Sequence, residues 1–438
     1  MIYVCDAVMG SGKTSAIINY INDHPDERFI YITPFLNEAD RVFNMCPAAN
    51  FERPSVVKGA AVSGKYSKLE HTRSLIASGR NIVSTHALFK NYDSDILKLI
   101  LDNEYKLIID ENVEVAEGSE ETIDDINLLV KGGFLVEERN DDGTLATYSI
   151  SPDKTYSGGR FDLFFKFLRS KELTKFTHET GKSEVSYYWV MPPELIDNFS
   201  DVFVLTYMFE GQGLHSMFEL YDMEYINIGV QKINGKFCFD FEHPVNYVPE
   251  HIKHIEDYID IIKDPRYNFI GNDRFALSMS WFNKKDNKDV EVLKSLMRSC
   301  YTYLWKDSST EKDGTRSVQG GAIKNSGRLW GTYLSAKKKI AGKGYANSYL
   351  VFNSRATNEY SDAKYLIYAA NLFVNVRDKK YYEKFGITLD DDQYALSTML
   401  QWIWRSAIRD GKPIHIYIPS RRMRELLINW MNSFKEAG

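Results

Sequence analysis

The stretch AVMGSGKTSAIINYI, residues 7–21, decides how the chain is read. Ile2, Tyr3 and Val4 before it are β-prone, and Ala16, Ile17, Ile18, Tyr20 and Ile21 after it recur at helical spacing. Between them lies Gly10-Ser11-Gly12-Lys13-Thr14. Two glycines let backbone N–H groups turn inward around an anion, and the helix N-terminus adds partial positive charge there. Lys13 is placed to reach the outer phosphates of a nucleotide, and Thr14 to ligate Mg²⁺. Gly10, Ser11, Gly12, Lys13 and Thr14 are therefore the expected nucleotide-binding set.

A phosphate loop needs carboxylates for its metal and water. KLIIDENVEV, residues 106–115, is a buried-strand run that delivers Asp110 and Glu111 at its C-terminal end. Open α/β sheets bind ligands at that end. Asp110 is expected to hold Mg²⁺, and Glu111 to orient and deprotonate the attacking water.

The rest of the first 116 residues keeps a strand–helix rhythm. RFIYITPFLNEADRVF (28–43) reads as strand then helix with Thr33-Pro34 at the junction, and NIVSTHALF (81–89) ends its strand in Ser84-Thr85-His86. Residues 117–199 break the rhythm. They read as a helix near 123–130, a hairpin over 134–150 turning at Asp142-Gly143, and a helix carrying Arg160, Lys166, Arg169, Lys171 and Lys175 among phenylalanines. NFSDVFVLTYMFE (198–210) returns to a buried strand ending in Thr206, and two short strands follow over 225–241. Beyond these, residues 273–284 read as a strand, turn and helix, and 313–347 are rich in Gly, Ser and Lys, including Lys337, Lys338, Lys339 and Lys343.

Composition bounds the possibilities. The 438 residues fit two or three domains, and no apolar run approaches the ~20 residues that span a bilayer. Cys5, Cys46, Cys238 and Cys300 are scattered without a CxxC pair, which argues against a zinc ribbon and fits a reducing, cytoplasmic setting. The net charge of −6 confines any nucleic-acid contact to local basic patches.

The order of these features resembles the two-lobed superfamily 2 helicases and translocases, most closely compact phage-encoded ones. RATNEYSDAKYLIY looks like motif V, and QWIWRSAIR like motif VI. The resemblance implies an α/β fold of two RecA-like P-loop lobes in tandem with an α+β insertion in the first. It assigns residues 1–116 plus 200–230 to the first ATPase lobe, 117–199 to the insertion and 231–438 to the second lobe. It implies ATP and Mg²⁺ as cofactors, with Lys13, Asp110, Glu111, Gln401, Arg405 and Arg409 catalytic, and coupling through Thr206. Thr33, Pro34, Ser84, Thr85, His86, Arg355, Thr357 and Asn358 would lie along single-stranded nucleic acid, DNA being favoured. On one helix, Gln401, Arg405 and Arg409 would share a face, able to meet a triphosphate. Two departures stand out: the two arginines are four apart rather than three, and the acidic box reads DENV.

The expected activity is an ATP-driven helicase or translocase that works as a monomer, acting in replication or repair. Three rivals share the loop: a viral DNA-packaging ATPase, a nucleoside kinase, and an ATP-switched nucleic-acid clamp without turnover. The 134–150 hairpin is either a strand-separating wedge or a docking decoration.

Overall fold

The computed structural model describes residues 1–34, 36–58, 65–139, 146–179, 183–284, 288–305, 325–352 and 360–436. Contacts divide the chain into two compact units. The first holds residues 1–7, 12–246 and 375–389, and the second 8–11, 247–374 and 390–438. The architecture is α/β, two parallel-sheet lobes of RecA type with an antiparallel insertion in the first.

The first unit is built on strands β1 (Ile2–Asp6), β2 (Phe29–Thr33), β5 (Ile82–Thr85), β6 (Lys106–Asp110), β12 (Val202–Thr206) and β13 (Ile226–Asn227). Between β2 and β5 lies a two-residue ladder of β3 (Val57–Lys58) and β4 (Lys65–Tyr66). The six strands lie in the order β13-β1-β12-β6-β2-β5, and every pairing is parallel. One strand, β12, therefore separates the strand that leads into the glycine loop from the strand that ends in Asp110.

Side-chain alternation explains why these short apolar runs become buried parallel strands. Phe29, Tyr31, Ile108, Phe203 and Leu205 face one side, where they pack with Ala16, Ile17, Ile18 and Ile21 of helix Lys13–Asp23. Ile30, Ile32, Leu107, Ile109, Val202 and Val204 face the other. That second cluster runs on into the insertion through Ile126, Leu129, Phe164, Phe165, Tyr187 and Trp189. The insertion is thus packed onto the sheet through one continuous core.

The insertion's sheet joins β7 (Ala116–Gly118), β8 (Leu135–Arg139), β9 (Ala146–Ile150), β10 (Leu173–Glu179) and β11 (Ser183–Val190) in the order β7-β11-β10-β9-β8, all antiparallel. The expected 134–150 hairpin is β8–β9, in register from Leu135↔Ile150 to Arg139↔Ala146, and its Asp142-Gly143 turn lies outside the described residues. The basic helix expected over 158–176 is a correction. Helix Asp162–Phe167 is six residues long, a 3₁₀ turn ends at Ser170, and Lys175 belongs to β10. Pairing of Thr174 with both Thr147 and Tyr188 draws this segment into the sheet, and tertiary pairing overrides helical spacing.

Strands β14 (Gly229–Ile233) and β15 (Lys236–Asp240) form a hairpin whose Asn234-Gly235 turn has φ of 50° and 83°. It packs on helix Lys13–Asp23, where Asn19 Nδ2 donates to the Phe237 carbonyl at 2.9 Å.

The second unit is built on a four-stranded parallel sheet, β16 (Ile259–Ile261), β17 (Arg328–Gly331), β18 (Tyr365–Tyr368) and β19 (Ile414–Tyr417), in the order β16-β19-β18-β17. The strand expected to open the 273–284 segment is a series of turns. Asp273 Oδ1 accepts from the Phe275 amide at 2.8 Å, Leu277 takes φ 62°, and the helix begins only at Met279, capped by Ser278.

Candidate nucleotide site

β1 ends at Asp6 and the chain turns through the glycine loop into helix Lys13–Asp23. Gly10 has φ 80° and Gly12 φ 94°, the left-handed region that glycine enters without penalty. Gly12 has a second reason to be glycine, because a Cβ there would run into the Phe237 ring. The Ser11 amide donates to the Val8 carbonyl at 3.2 Å, and the Ser11 hydroxyl is buried with no hydrogen-bond partner. The Lys13 ammonium donates to the Ala7 carbonyl, which folds the side chain back over the loop. Desolvation lowers the Lys13 pKa, and the charges of Cys5, Asp110, Asp6 and Glu111 act against that. Thr14 sits half-buried in the first turn of the helix.

Strand register gathers the rest. Asp6 pairs with Thr206, Leu205 with Asp110, and Thr33 with Thr85, so one sheet edge carries all of these groups. Asp110 lies on the same sheet face as Tyr31 of the adjacent strand, and the Tyr31 phenol donates to Asp110 Oδ2 at 2.6 Å. Burial pushes the Asp110 carboxyl up to about 7. The Tyr31 hydrogen bond lowers it, Glu111 and Glu38 raise it further, and Lys13 lowers it. A carboxylate so placed is short of positive charge, which is the condition a bound divalent cation relieves. Glu111, the next residue, takes φ 65° while its amide donates to the Leu205 carbonyl at 3.0 Å. A non-glycine residue held in the left-handed region beside such a carboxylate is strain of the kind that clusters at functional sites.

Thr206 is buried, and its hydroxyl packs against the Gln212 amide, with Oε1 at 2.8 Å and Nε2 at 2.6 Å. Gln212 Nε2 also donates to the Tyr207 carbonyl at 2.8 Å. Asp6 is the second organiser: its carboxylate accepts the amides of Met208 at 2.7 Å and Phe209 at 2.9 Å, and its carbonyl accepts from Asn246 Nδ2 at 2.8 Å. The sequence reading missed Asp6, Tyr31 and Gln212. Asp6 was the most findable, as an acid ending the strand before the loop. Nothing local marks Tyr31 or Gln212, whose roles come from strand order and a later turn.

The residues expected along nucleic acid divide. Thr33, Ser84 and His86 are buried, and the hydroxyls of Thr33 and Ser84 have no hydrogen-bond partner. Pro34 and Thr85 are half-exposed. Arg355, Thr357 and Asn358 lie outside the described residues.

The shared helical face of Gln401, Arg405 and Arg409 is a correction. Helix Asp391–Ile403 contains Gln401, Arg405 lies in the turn after it, and Arg409 is exposed in a 3₁₀ turn, Ala407–Asp410. Ser406 ends the helical run with ψ −170°, its hydroxyl donates to the Ile403 carbonyl at 2.6 Å, and the Ala407 amide is taken by Ala363 at 3.0 Å. All three residues belong to the second unit.

The glycine loop and strand order define a P-loop α/β protein. The chain belongs to the YonV family. It is 33% identical over 434 residues, 98% of each chain, to the SPbeta prophage-derived uncharacterized protein YonV of Bacillus subtilis strain 168. Residues 253–431 match the YonV C-terminal Rossmann-like domain. It is also similar to the solved structure of S. tokodaii Xpd4, at 12% identity and a TM-score of 0.45, covering 98% of this chain and 93% of that one. A DEAD box protein from the hyperthermophile Methanococcus jannaschii matches at 12% identity and a TM-score of 0.25, covering 99% and 86%. The fold assignment rests on the strand order of the sheet. Among the described residues, no helix is long and apolar enough to cross a membrane.

Proposed function

We propose that the chain is a nucleic-acid-dependent ATPase, a helicase or translocase that steps along single-stranded nucleic acid, DNA being favoured. The observation that carries this is one end of the sheet where Asp6, Thr206 and Asp110 come into register beside Lys13 and Glu111, with β12 inserted between the loop strand and the acidic strand. A kinase needs only the loop and an acid. A strand-end Thr locked to a glutamine six residues on supplies a place where a change at the phosphates can be passed to the rest of the lobe.

The residues fit ATP and Mg²⁺. Gly10 and Gly12 form the cradle, Ser11 keeps an unpartnered buried hydroxyl, and Asp110 is a buried acid whose pKa burial raises. Thr14 and Asp110 would hold the metal, which when bound neutralises phosphate charge. Lys13 would bind the outer phosphates, and Glu111 would orient water and accept its proton. Gln401, Arg405 and Arg409 would serve from the second lobe, Arg409 being the exposed guanidinium. In this reading residues 1–116 with 200–230 are the ATPase lobe, 117–199 the insertion and 231–438 the partner lobe, apart from 231–246 and 375–389, which pack with the first unit. The strand would run past Pro34 and Thr85, with Thr33, Ser84 and His86 shaping the edge from beneath, and past Arg355, Thr357 and Asn358. A monomer suffices because both lobes are in one chain, and the relative's prophage origin suits a phage replication or repair role.

The test is the ATPase rate with and without single-stranded DNA or RNA, for the native chain and for Lys13→Ala, Glu111→Gln and Arg409→Ala. Stimulation by one polymer, lost in all three variants, is expected. Turnover indifferent to both polymers would overturn the translocase reading in favour of a packaging ATPase or kinase. Nucleotide binding without turnover would leave the switched clamp.

A further inference from the structure

The lysine-rich stretch over 337–343 has no role in the site described above, and the structure sorts its members. Lys339 Nζ donates to the Phe282 carbonyl at 2.6 Å, and Lys337 lies over the Tyr349 ring at 4.3 Å, so both are committed to the fold. Lys343 is different. It lines a cavity of about 170 Å³ together with Arg298, Tyr301, Thr302, Arg328, Gly344 and Tyr345, all within the second unit.

Among the described residues, the lining carries three cations and no carboxylate. Arg328 opens β17, so the cavity lies at the N-terminal end of that strand, away from the strand C-termini where open α/β sheets take their ligands. Its guanidinium is fixed: Nη1 donates to the Gly344 carbonyl, the group lies 5.4 Å from the Tyr301 ring centroid, and Nε is buried without a partner. Arg298 and Lys343 are exposed at the mouth, and neither makes an ion pair among the described residues. The nearby carboxylate, Glu291, has Lys294 at 3.9 Å. The tyrosine hydroxyls are spent on backbone, Tyr301 on Leu329 at 2.8 Å and Tyr345 on Ile340 at 2.6 Å, and both rings are buried. They form a rigid floor and offer no face to a base.

Size narrows the ligand. At ~30 Å³ per water the cavity holds roughly five or six waters, well below the ~300 Å³ where pockets for drug-sized molecules begin. That volume suits a tetrahedral anion better than a nucleoside. A guanidinium and two further cations around a small concavity suit a phosphate, whose oxygens can take several charge-assisted hydrogen bonds at once. We infer that this pocket binds one phosphate group, and that in the working protein it is a backbone phosphate of the nucleic-acid strand. The second half rests on the translocase reading; the first does not.

The test uses the full chain in a Lys13→Ala background, so that the glycine loop does not compete for anions. Arg298→Gln/Lys343→Gln is compared with the intact pocket; Arg328 is left alone because it anchors Gly344. Two probes are used: inorganic phosphate, read by the shift in melting temperature, and a single-stranded oligodeoxythymidine, read by anisotropy across a salt series. The expected result is phosphate stabilisation only with the pocket intact, and oligonucleotide affinity about tenfold weaker in the variant. The slope of log K against log salt should also fall by about 0.7 for each backbone phosphate that the variant no longer neutralises. Phosphate stabilisation with unchanged oligonucleotide binding would keep the phosphate site and overturn its assignment to the strand. Indifference of both probes to the variant would overturn the site. Absence of any oligonucleotide binding, with the phosphate response intact, would keep the phosphate site and overturn both the translocase reading and the strand assignment that rests on it.

Discussion

The Tyr31 phenol and the Asp110 carboxylate form a buried pair at 2.6 Å across two adjacent parallel strands. The bond is local in space and distant in sequence, since β2 and β6 are neighbours only through the strand order. It holds Asp110 in one orientation at the edge that also carries Lys13, so the acid is positioned before any ligand arrives.

Asp110 makes folding depend on pH. Burial lifts its carboxyl to about 7 in the folded chain, above the unfolded value near 3.8. The unfolded chain therefore releases this proton first as pH rises. Stability contributed by the protonated form is present below about pH 4 and is lost progressively as pH climbs through 7. Without nucleotide or metal, the native chain should be more stable at pH 5.5 than at pH 8. Asp110→Asn keeps an acceptor for Tyr31 and removes the charge, so it should flatten that part of the profile. It should also stabilise the chain by roughly 1–3 kcal/mol at pH 8 while abolishing ATP turnover. Urea unfolding of both proteins at the two pH values is the measurement, and parallel profiles would refute the assignment.

Gln212 gives a second expectation. Its amide is the hydrogen-bond partner of the buried Thr206 hydroxyl and of the Tyr207 carbonyl. Gln212→Leu leaves both without it, at a cost of about 1–3 kcal/mol. If Thr206 passes a change at the phosphates outward, basal ATPase should survive in this variant while stimulation by nucleic acid shrinks towards none. Basal and stimulated rates falling together would make the pair merely structural.

Gly12 separates two constraints. Its φ of 94° disfavours any side chain, and the Phe237 ring fills the space a Cβ would need. Gly12→Ala should destabilise the chain by about 2–4 kcal/mol. Adding Phe237→Ala to that variant relieves the collision and leaves the backbone strain, so the two losses should sum to less than their separate values. Strict additivity in a double-mutant cycle would show that the ring and the loop are independent.

Much of the first lobe was legible because its signals are local. A glycine loop between a strand and a helix, and an acidic pair ending an apolar strand, each fix their own geometry. What failed was periodicity without a terminator. Gln401, Arg405 and Arg409 are spaced for one helix, yet Ser406 turns the backbone out of it. Residues 158–176 carry an aromatic and basic spacing that suits a helix, but antiparallel partners on both sides draw Leu173–Glu179 into a sheet. The burial of Thr33, Ser84 and His86 was hidden for a related reason: a strand-end residue's exposure depends on what covers the edge, which no local pattern records.

Lys171 shows the same effect with an energetic consequence. In sequence it is one of several cations beside phenylalanines, suited to a solvated face or to a nucleic-acid strand. In the structure it is buried, 3.0 Å from Glu117 and within 4.3 Å of the Phe167 and Trp189 ring centroids. Lys90 shares Glu117 and has Glu114 at 3.4 Å as a second partner. Burial pulls the Lys171 pKa down more than Glu117 restores it. Burial raises Glu117, but Lys90 and Lys171 together hold it below its usual value. Removing one partner of such a cluster costs more than removing both, because the charge left behind stays desolvated. Glu117→Gln should therefore destabilise by about 3–5 kcal/mol, whereas Glu117→Gln/Lys171→Met should recover a large part of that loss, with Lys90 still served by Glu114. Denaturant unfolding of the two variants decides the point. A double variant as weak as the single one would mean that Lys171 is held by its stacking on Trp189 and Phe167 rather than by Glu117.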